Sequence, residues 1–482
     1  MNRFAVVTLA LSSSLAACGG SSDGAGALPT TSRPVASSDW VTYAGDSQRT
    51  GFNPSEKTIG PQNVSRLHPL WTFTLSTVSD TQPLVVSGLP SNGKTSTLVY
   101  VGDENGNLYA VDASTGQQVW TRQLGAYNRT GCNDIQGGMY GITGAPAIDR
   151  ANRRMFVVDG QAMMYALDLA TGKSASDWPS SGVSILGARG TASQDHDWGA
   201  VTYNAATATV YATTASYCDR RPYYGRAVAV NASNGTVENT LFTSGANGGA
   251  GIWGWGGVSV DPRNGTIYIA TGNAYPNDTD PNGDAIISAP ANLSTTTTVN
   301  VPPGVTGSPD LDFGSTPSVF TPPGCPTMFA VERKDGMLFL YNADRIGAGP
   351  VQSIAAGNSA GHNEIGVTAY ANGLLYMSNA AVGTYPEGLL AFTIGAPSCT
   401  LQFLWSQPFG AGAFYESSPT IANGVVYVNG GGRTITLAFD AGTGTPLWVS
   451  PGANGWLIAA PTVSNGQLYS VGWDHTLHAY GI

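Results

Sequence analysis

One pattern recurs along this chain: a small residue and a proline, an apolar run, a tight turn, a second run ending in Tyr-Val-Gly or similar, an Asp-Gly-type turn, then Tyr-Ala-Val-Asp, Thr-Gly and a closing Trp. The clearest copies are PLVVSG followed by STLVYVGDENGNLYAVDASTGQQVW, ending at Trp120, and SPTIANGVVYVNGGGRTITLAFDAGTGTPLW, ending at Trp448. Others begin at Ala145-Pro146, Trp198-Gly199, Trp255-Gly256, Thr316-Pro317, Ile365-Gly366 and Ala460-Pro461, which brings the count to eight. Within each copy apolar and polar residues alternate over short runs, and Asn-Gly, Asp-Gly or Thr-Gly pairs separate them, as hairpins joined by tight turns require. A four-stranded sheet of this kind cannot cover both of its apolar faces alone, whereas radial stacking against neighbours does so. The expected fold is therefore all-β: an eight-bladed β-propeller of four-stranded antiparallel blades. Trp120, Trp178, Trp405 and Trp448 are expected to pack between adjacent sheets. The final copy stops at LYSVGWDHTLHAYGI, before any Thr-Gly-x-Trp strand, while the repeats are preceded by a spare LHPLWTFTL. Residues near 69 to 75 should complete the last blade and remove its open edge.

Bulk composition agrees and narrows function. Across 482 residues, Gly 63 and Pro 29 against 11% charged residues describe a turn-rich β protein. The net charge of -10 and the lack of any Lys/Arg cluster exclude a nucleic-acid partner, since nothing is placed to neutralise phosphates. The opening MNRFAVVTLALSSSLAACGG has Arg3, a short apolar run and Leu15-Ala16-Ala17-Cys18. That run is too short and serine-interrupted to span a bilayer, so it reads as an export signal, and small residues before a lone cysteine resemble a lipobox. The organisation expected is a lipoprotein signal peptide over 1–18, a disordered tether over 19–38 and one propeller over 39–482. Cys18 would carry a lipid anchor, placing the protein on a membrane, in the periplasm or at the cell surface. The remaining Cys132, Cys218, Cys325 and Cys399 suggest two disulfides with three possible connectivities, pairing within halves being preferred. None sits in a Cys-x-x-Cys-His haem motif or at metal-ligand spacing.

The segment DWVTYAGDSQRTGFNPSEKTIGPQNVSRLHPLWTF, Asp39 to Phe73, resembles the opening of the quinoprotein alcohol dehydrogenases, and DLDFGSTP at 310–317 is most similar to their polyvinyl-alcohol branch. These are eight-bladed propellers that bind pyrroloquinoline quinone and a calcium or lanthanide ion on their axis. The resemblance implies that Trp255 stacks on the quinone, a task suited to a flat indole. Asn273 would coordinate the metal through its carbonyl oxygen. Asp312 would take the alcohol proton and touch the metal, with Asp310 the nearby alternative, and Lys334 would hydrogen-bond the quinone carbonyls. An alcohol, small or polymeric, would be the substrate, and electrons would pass to a separate acceptor. Two departures stand against this. Where the family has two adjacent cysteines covering the other quinone face, this chain has Cys132 followed by Asn133. At the position of a metal-binding Glu it has Arg220, beside Asp219. A second reading follows: a non-catalytic propeller lipoprotein that binds a protein or glycan, as an outer-membrane assembly factor with similar repeats does.

Other residues read as structural. His196, and the pair His475 and His478, whose rings at spacing three face opposite sides of a strand, are assigned no chemistry. Residues 125–144 and 285–309, polar and free of repeat, are expected to be loops beside the channel mouth.

Overall fold

The computed structural model describes residues 38–482 apart from 92, 188, 276–281, 304–310, 358–365, 381, 410–416 and 431–433. Cys18, the export signal, most of the tether and Asp310 therefore lie outside the described residues. Eight sheets of four or five strands succeed one another along the chain. Blade 1, for example, runs Leu84–Ser91, Lys94–Gly102, Asn107–Asp112 and Gln118–Gln123 from the inside outward, each strand antiparallel to the last. Blade 8 consists of Thr462–Ser464, Gln467–Ser470, Thr476–Gly481 and, as its outermost strand, His68–Thr74, which pairs antiparallel with Thr476–Gly481. Innermost strands of successive blades lie against one another. The middle two strands of each blade are the most apolar, and they are largely buried in the regular copies, as in LVYVG and LYAVD.

The tryptophan at the end of the repeat has a defined partner. Trp71 lies on Gly116 of the next blade and donates its indole N–H to Ala113 O at 2.9 Å. Trp120 does the same to Gly172 and Leu169 O at 3.0 Å, Trp178 to Gly235 and Ala232 O at 2.9 Å, and Trp405 to Gly444 and Ala441 O at 3.3 Å. Each of these glycines has a positive φ and sits so close to the ring that a β-carbon would collide with it. The Thr-Gly of the repeat thus forms a turn and also a flat seat for the preceding blade's indole.

A segment read only as a family opening does structural work at one end of the axis. Trp40 O and Val41 O accept the backbone N–H of Val85 and Ile148 in blades 1 and 2, and the Thr42 hydroxyl donates to Val201 O in blade 3. Ser47 O, Gln48 O, Thr50 O and Gly51 O then accept Val260, Val319, Tyr370 and Ile421 in blades 4 to 7. Asn53 Nδ2 donates to Val463 O in blade 8 at 2.9 Å. Residues 40–53 therefore make one circuit of the axis, touching each blade in order. Arg49, fully buried, pins the coil by donating to Tyr43 O, to the Thr42 hydroxyl and to Thr202.

Two expectations about loops divide. Residues 125–144 do form a connection, with a short hairpin of Tyr127–Asn128 and Met139–Tyr140. Of residues 285–303, Ile286–Ala289 and Thr298–Asn300 are instead the third and outermost strands of blade 4, while 304–309 lie outside the described residues. Thr298 and Val299 are β-branched and suit an edge strand, a preference masked by the polar run that precedes them.

Candidate functional site at the channel mouth

Innermost strands begin, and second strands end, at the end of the propeller opposite the coil. Here Asn273 follows the second strand of blade 4, Asp312 precedes the innermost strand of blade 5, and Lys334 follows the second strand of blade 5. The structure brings all three together. Asp312 Oδ1 accepts the Asn273 backbone N–H at 2.6 Å, Asp312 Oδ2 lies 2.6 Å from Lys334 Nζ, and the Lys334 backbone N–H donates to Asp312 O at 3.0 Å. Asp312 is 4% exposed, so its charge has left water and the ammonium compensates it. Gly272 permits this closeness, for a β-carbon there would strike Asp312 Oδ1. The Asn273 side-chain amide makes no hydrogen bond to any described residue and is left as an oxygen donor.

Trp255 is not in that triad but beneath the mouth. It packs against a cluster formed by Tyr43 and Ala44 of the coil and by Ala145, Ala200 and Ala460, small residues just ahead of the innermost strands of blades 2, 3 and 8, which form a floor across the axis. It also meets Trp198 edge-on at 6.1 Å. The indole nearest the triad is Trp253, a residue the sequence did not single out. Lys334 Nζ lies 5.8 Å from its ring centre, and its buried Nε1–H has no partner among the described residues. The WGW spacing was a signal for it, since Trp253 and Trp255 flank a single glycine ahead of one strand.

Both disulfides pair within halves, Cys132 with Cys218 and Cys325 with Cys399. Cys132–Cys218 ties the 125–144 connection to blade 3 and roofs an aromatic cluster of Tyr140, Tyr217, Trp198, Trp253, Trp255 and Trp473. Cys132, Asp134 and Cys218 come close enough to suggest a metal centre, but both sulfurs are spent on the disulfide. Asp134 instead accepts the Cys218 N–H at 2.6 Å, and burial raises its pKa. Asp219 is also pushed up by burial, and one of its oxygens accepts the Tyr223 hydroxyl at 2.6 Å. Arg220, the expected obstacle, points its guanidinium at the carbonyls of Thr130 and Gly131 on the exposed side of the loop. It is held there as a clamp on the connection.

Further around the mouth, buried polar atoms lack partners among the described residues: Asp80 Oδ2, His196 Nδ1, Ser315 Oγ and Asn379 Oδ1, contributed by different blades. Burial raises the Asp80 carboxyl to about 7 and the neighbouring Glu104 well above the carboxylate range. Glu104 Oε2 accepts the Gly141 N–H and the Thr143 hydroxyl, and that hydroxyl also meets His196 Nε2 at 2.9 Å. His196, buried and driven down to about 3, is neutral. His478 pairs with Asp474 at 2.6 Å, and His475 occupies a turn at positive φ, so both are structural.

A floor of aromatic and small residues, a ring of polar atoms unpartnered among the described residues and a carboxylate, ammonium and carboxamide at one edge could hold a flat, polar ligand. Residues 40–280 match the family described as the glucose/ethanol/alcohol dehydrogenase β-propeller domain. The chain belongs to that family. Residues 402–482 match a second one, the outer membrane protein assembly factor BamB. Among individual relatives, a polyvinylalcohol dehydrogenase from a Pseudomonas species is 23% identical over 250 residues, 49% of this chain but 36% of its own length. The quinohemoprotein alcohol dehydrogenase from Comamonas testosteroni superposes with a TM-score of 0.67 at 16% identity, covering 93% of this chain and 81% of that one. A europium-containing methanol dehydrogenase gives 0.64 at 14% identity, with 92% and 98% covered. BamB from Moraxella catarrhalis gives 0.57 at 14% identity, with 86% and 100% covered. At such identities these structures establish a common fold.

The donor set fits the group this family implies. Asn273, Asp312 and Asp219 offer the oxygen ligands a calcium or lanthanide ion prefers. The unpartnered atoms of Trp253, Ser315, Asn379 and Asp80 offer both donors and acceptors to a polar ring.

Proposed function

We propose that this family member is an exported, quinone-dependent alcohol dehydrogenase, acting on a small or polymeric alcohol and passing electrons to a separate acceptor. The observation that carries this reading is the convergence of Asn273, Asp312 and Lys334 at one edge of the axial mouth. Pyrroloquinoline quinone, when bound, supplies an electrophilic carbon that accepts hydride.

This chain's residues do the rest. Trp255 at the floor offers a flat apolar surface to a planar ring, and the Cys132–Cys218 disulfide with its aromatic cluster restricts water above it. Asn273 and Asp312 would hold the cation. Asp312 would accept the alcohol's hydroxyl proton as hydride departs, and the Lys334 ammonium would stabilise negative charge developing on a neighbouring oxygen. Asp80, kept protonated by burial up to near neutral pH, and Glu104, whose carboxyl burial also pushes up, can donate hydrogen bonds without adding negative charge around an anionic ligand.

The test is to add pyrroloquinoline quinone with calcium or a lanthanide to purified protein and follow bound-quinone absorbance and dye-linked alcohol oxidation. Asp312→Ala and Trp255→Ala are expected to abolish oxidation, and Trp255→Ala to weaken the absorbance. Full retention in both variants removes the enzymatic reading, and silence in the unmodified protein leaves the binding propeller with a protein or glycan partner. An amino-terminal lipid on Cys18, sought by mass spectrometry of membrane-extracted protein, tests the proposed anchor.

A further inference from the structure

The repeat places an indole at the outer edge of a blade joint, and three blades lack it. Trp120 pairs with Ala110 on the strand beside it, and Trp405 with Ala391. The equivalent residue is Asn239 in blade 3, opposite Ala229, Thr298 in blade 4, opposite Ser288, and Gln352 in blade 5, opposite Leu340. Two of these substitutes still reach the next blade. Asn239 Nδ2 donates to Asn292 O at 2.8 Å, and Gln352 exchanges hydrogen bonds with Leu401 at 3.0 and 2.7 Å. Thr298 has a side chain too short to do so.

The consequence is a groove of about 690 Å³ between blades 4 and 5, lined by Tyr268, Ser288, Thr298, Ala343, Arg345 and Gly347. Its walls repeat those of the filled joints. Tyr100 stands 5.8 Å from Trp120 and Tyr376 5.8 Å from Trp405, and Tyr268 occupies the same place in blade 4. Leu169 O accepts both the Tyr100 hydroxyl at 2.9 Å and the Trp120 N–H at 3.0 Å, and Ala441 O likewise accepts Tyr376 and Trp405. Ala343 O accepts the Tyr268 hydroxyl at 2.8 Å, leaving its second lone pair in the position where the indole N–H arrives elsewhere. Ile346 holds the register of the seat glycine, in a short 3-10 turn, and the next residue, Gly347, faces the groove with 3.1 Å between its notional β-carbon and Thr298 Cγ2. The outermost strand beside the groove, Thr298–Asn300, is a three-residue sheet edge whose free backbone groups can pair with an added strand.

We propose that this groove is a docking site for a protein partner that presents a tryptophan on an extended segment, the partner's indole taking the seat that five other blades fill from within. The occupant is specified by the molecule's own joints: a flat ring lies on the turn, its N–H on the carbonyl, its backbone along the edge strand. The site is on the outer rim and is independent of chemistry at the axial mouth.

The probe is a fluorescent peptide with the sequence GQQVWTRQ, residues 116–123 of this chain, titrated into the intact protein and read by anisotropy. Saturable binding is expected, at least tenfold weaker when the peptide's Trp is replaced by Ala. Thr298→Trp fills the groove from within and should abolish binding while raising the melting temperature. Gly347→Leu blocks it from the opposite wall and serves if Thr298→Trp does not fold. Absence of saturable binding to the unmodified protein overturns the proposal, as does undiminished binding to either folded variant. Binding of N-acetyl-tryptophanamide without the peptide would also overturn it, since the groove would then hold a small molecule and not a protein segment.

Discussion

Asp80 illustrates how the channel mouth stores a cost that can be measured. Its Oδ1 takes the Trp473 indole N–H at 2.8 Å, its Oδ2 is unpartnered among described residues, and burial lifts its pKa to about 7. Between the ordinary carboxylate pKa near 4 and about 7, the folded protein holds this proton and the unfolded chain does not. That stabilising contribution is complete below pH 4, falls as pH rises, and is lost above about 7. Asp80→Asn should therefore gain stability relative to the parent across pH 4 to 7 and hold a constant advantage above it, as melting temperatures of the ligand-free protein would record. His196, depressed to about 3, contributes the opposite slope, so its stability term grows as pH rises from 3 to 6.5. The difference between parent and variant isolates Asp80 from it. Arg226 and Asp195, both fully buried and 2.6 Å apart, form the other high-stakes pair. Arg226→Met strands a carboxylate in the interior and should cost about 3–5 kcal/mol in denaturant titrations. At this scale the sequence was partly legible. Asp312, Lys334 and Asn273, named from the resemblance, meet in the structure because each sits at the mouth end of a strand in two neighbouring blades. Trp253, Asp134 and Asp80 were missed, since they reach the mouth from segments whose proximity only the ring creates.

At the scale of a strand and its turn, the repeat predicts more than a fold, because each Thr-Gly is shaped by an indole from the blade before it. Trp120→Phe keeps the ring stacked on Gly172 but drops the N–H to Leu169 O, which still holds the Tyr100 hydroxyl, so a loss of about 1 kcal/mol is expected. Trp120→Ala also removes the ring and should cost about 3–5 kcal/mol, read from the denaturation midpoint at unchanged slope. The packing role of Trp120, Trp178, Trp405 and Trp448 was evident from recurrence alone. Blade 4 was the element misread. Its third strand lacks the usual Tyr-Ala-x-Asp, and its outermost strand is only Thr298–Asn300 at the end of a threonine run, so the signal that identified the other blades was absent where the polypeptide nonetheless took the same path.

At the scale of the whole molecule, eight short sheets with narrow mutual contacts are drawn into one body by the coil of residues 40–53 and by two cross-blade disulfides. Reducing Cys132–Cys218 should free the 125–144 connection, which hydrogen exchange would detect as loss of protection around Tyr140 and Asp134 before the blades themselves open. A chain begun at residue 67 retains every blade strand yet forfeits the circuit, and it should fail to give a cooperative thermal transition. The number of blades could be counted from the repeat, but the circuit could not be foreseen, because six of its eight blade contacts are made by backbone carbonyls that any side chain can accompany. That circuit orders events in time. The coil precedes every blade, and its last partner, Val463, accepts from the Asn53 side chain across 410 residues, so contacts of very long separation must form before the ring is complete. The ring therefore stays open until its eighth blade is present to close it.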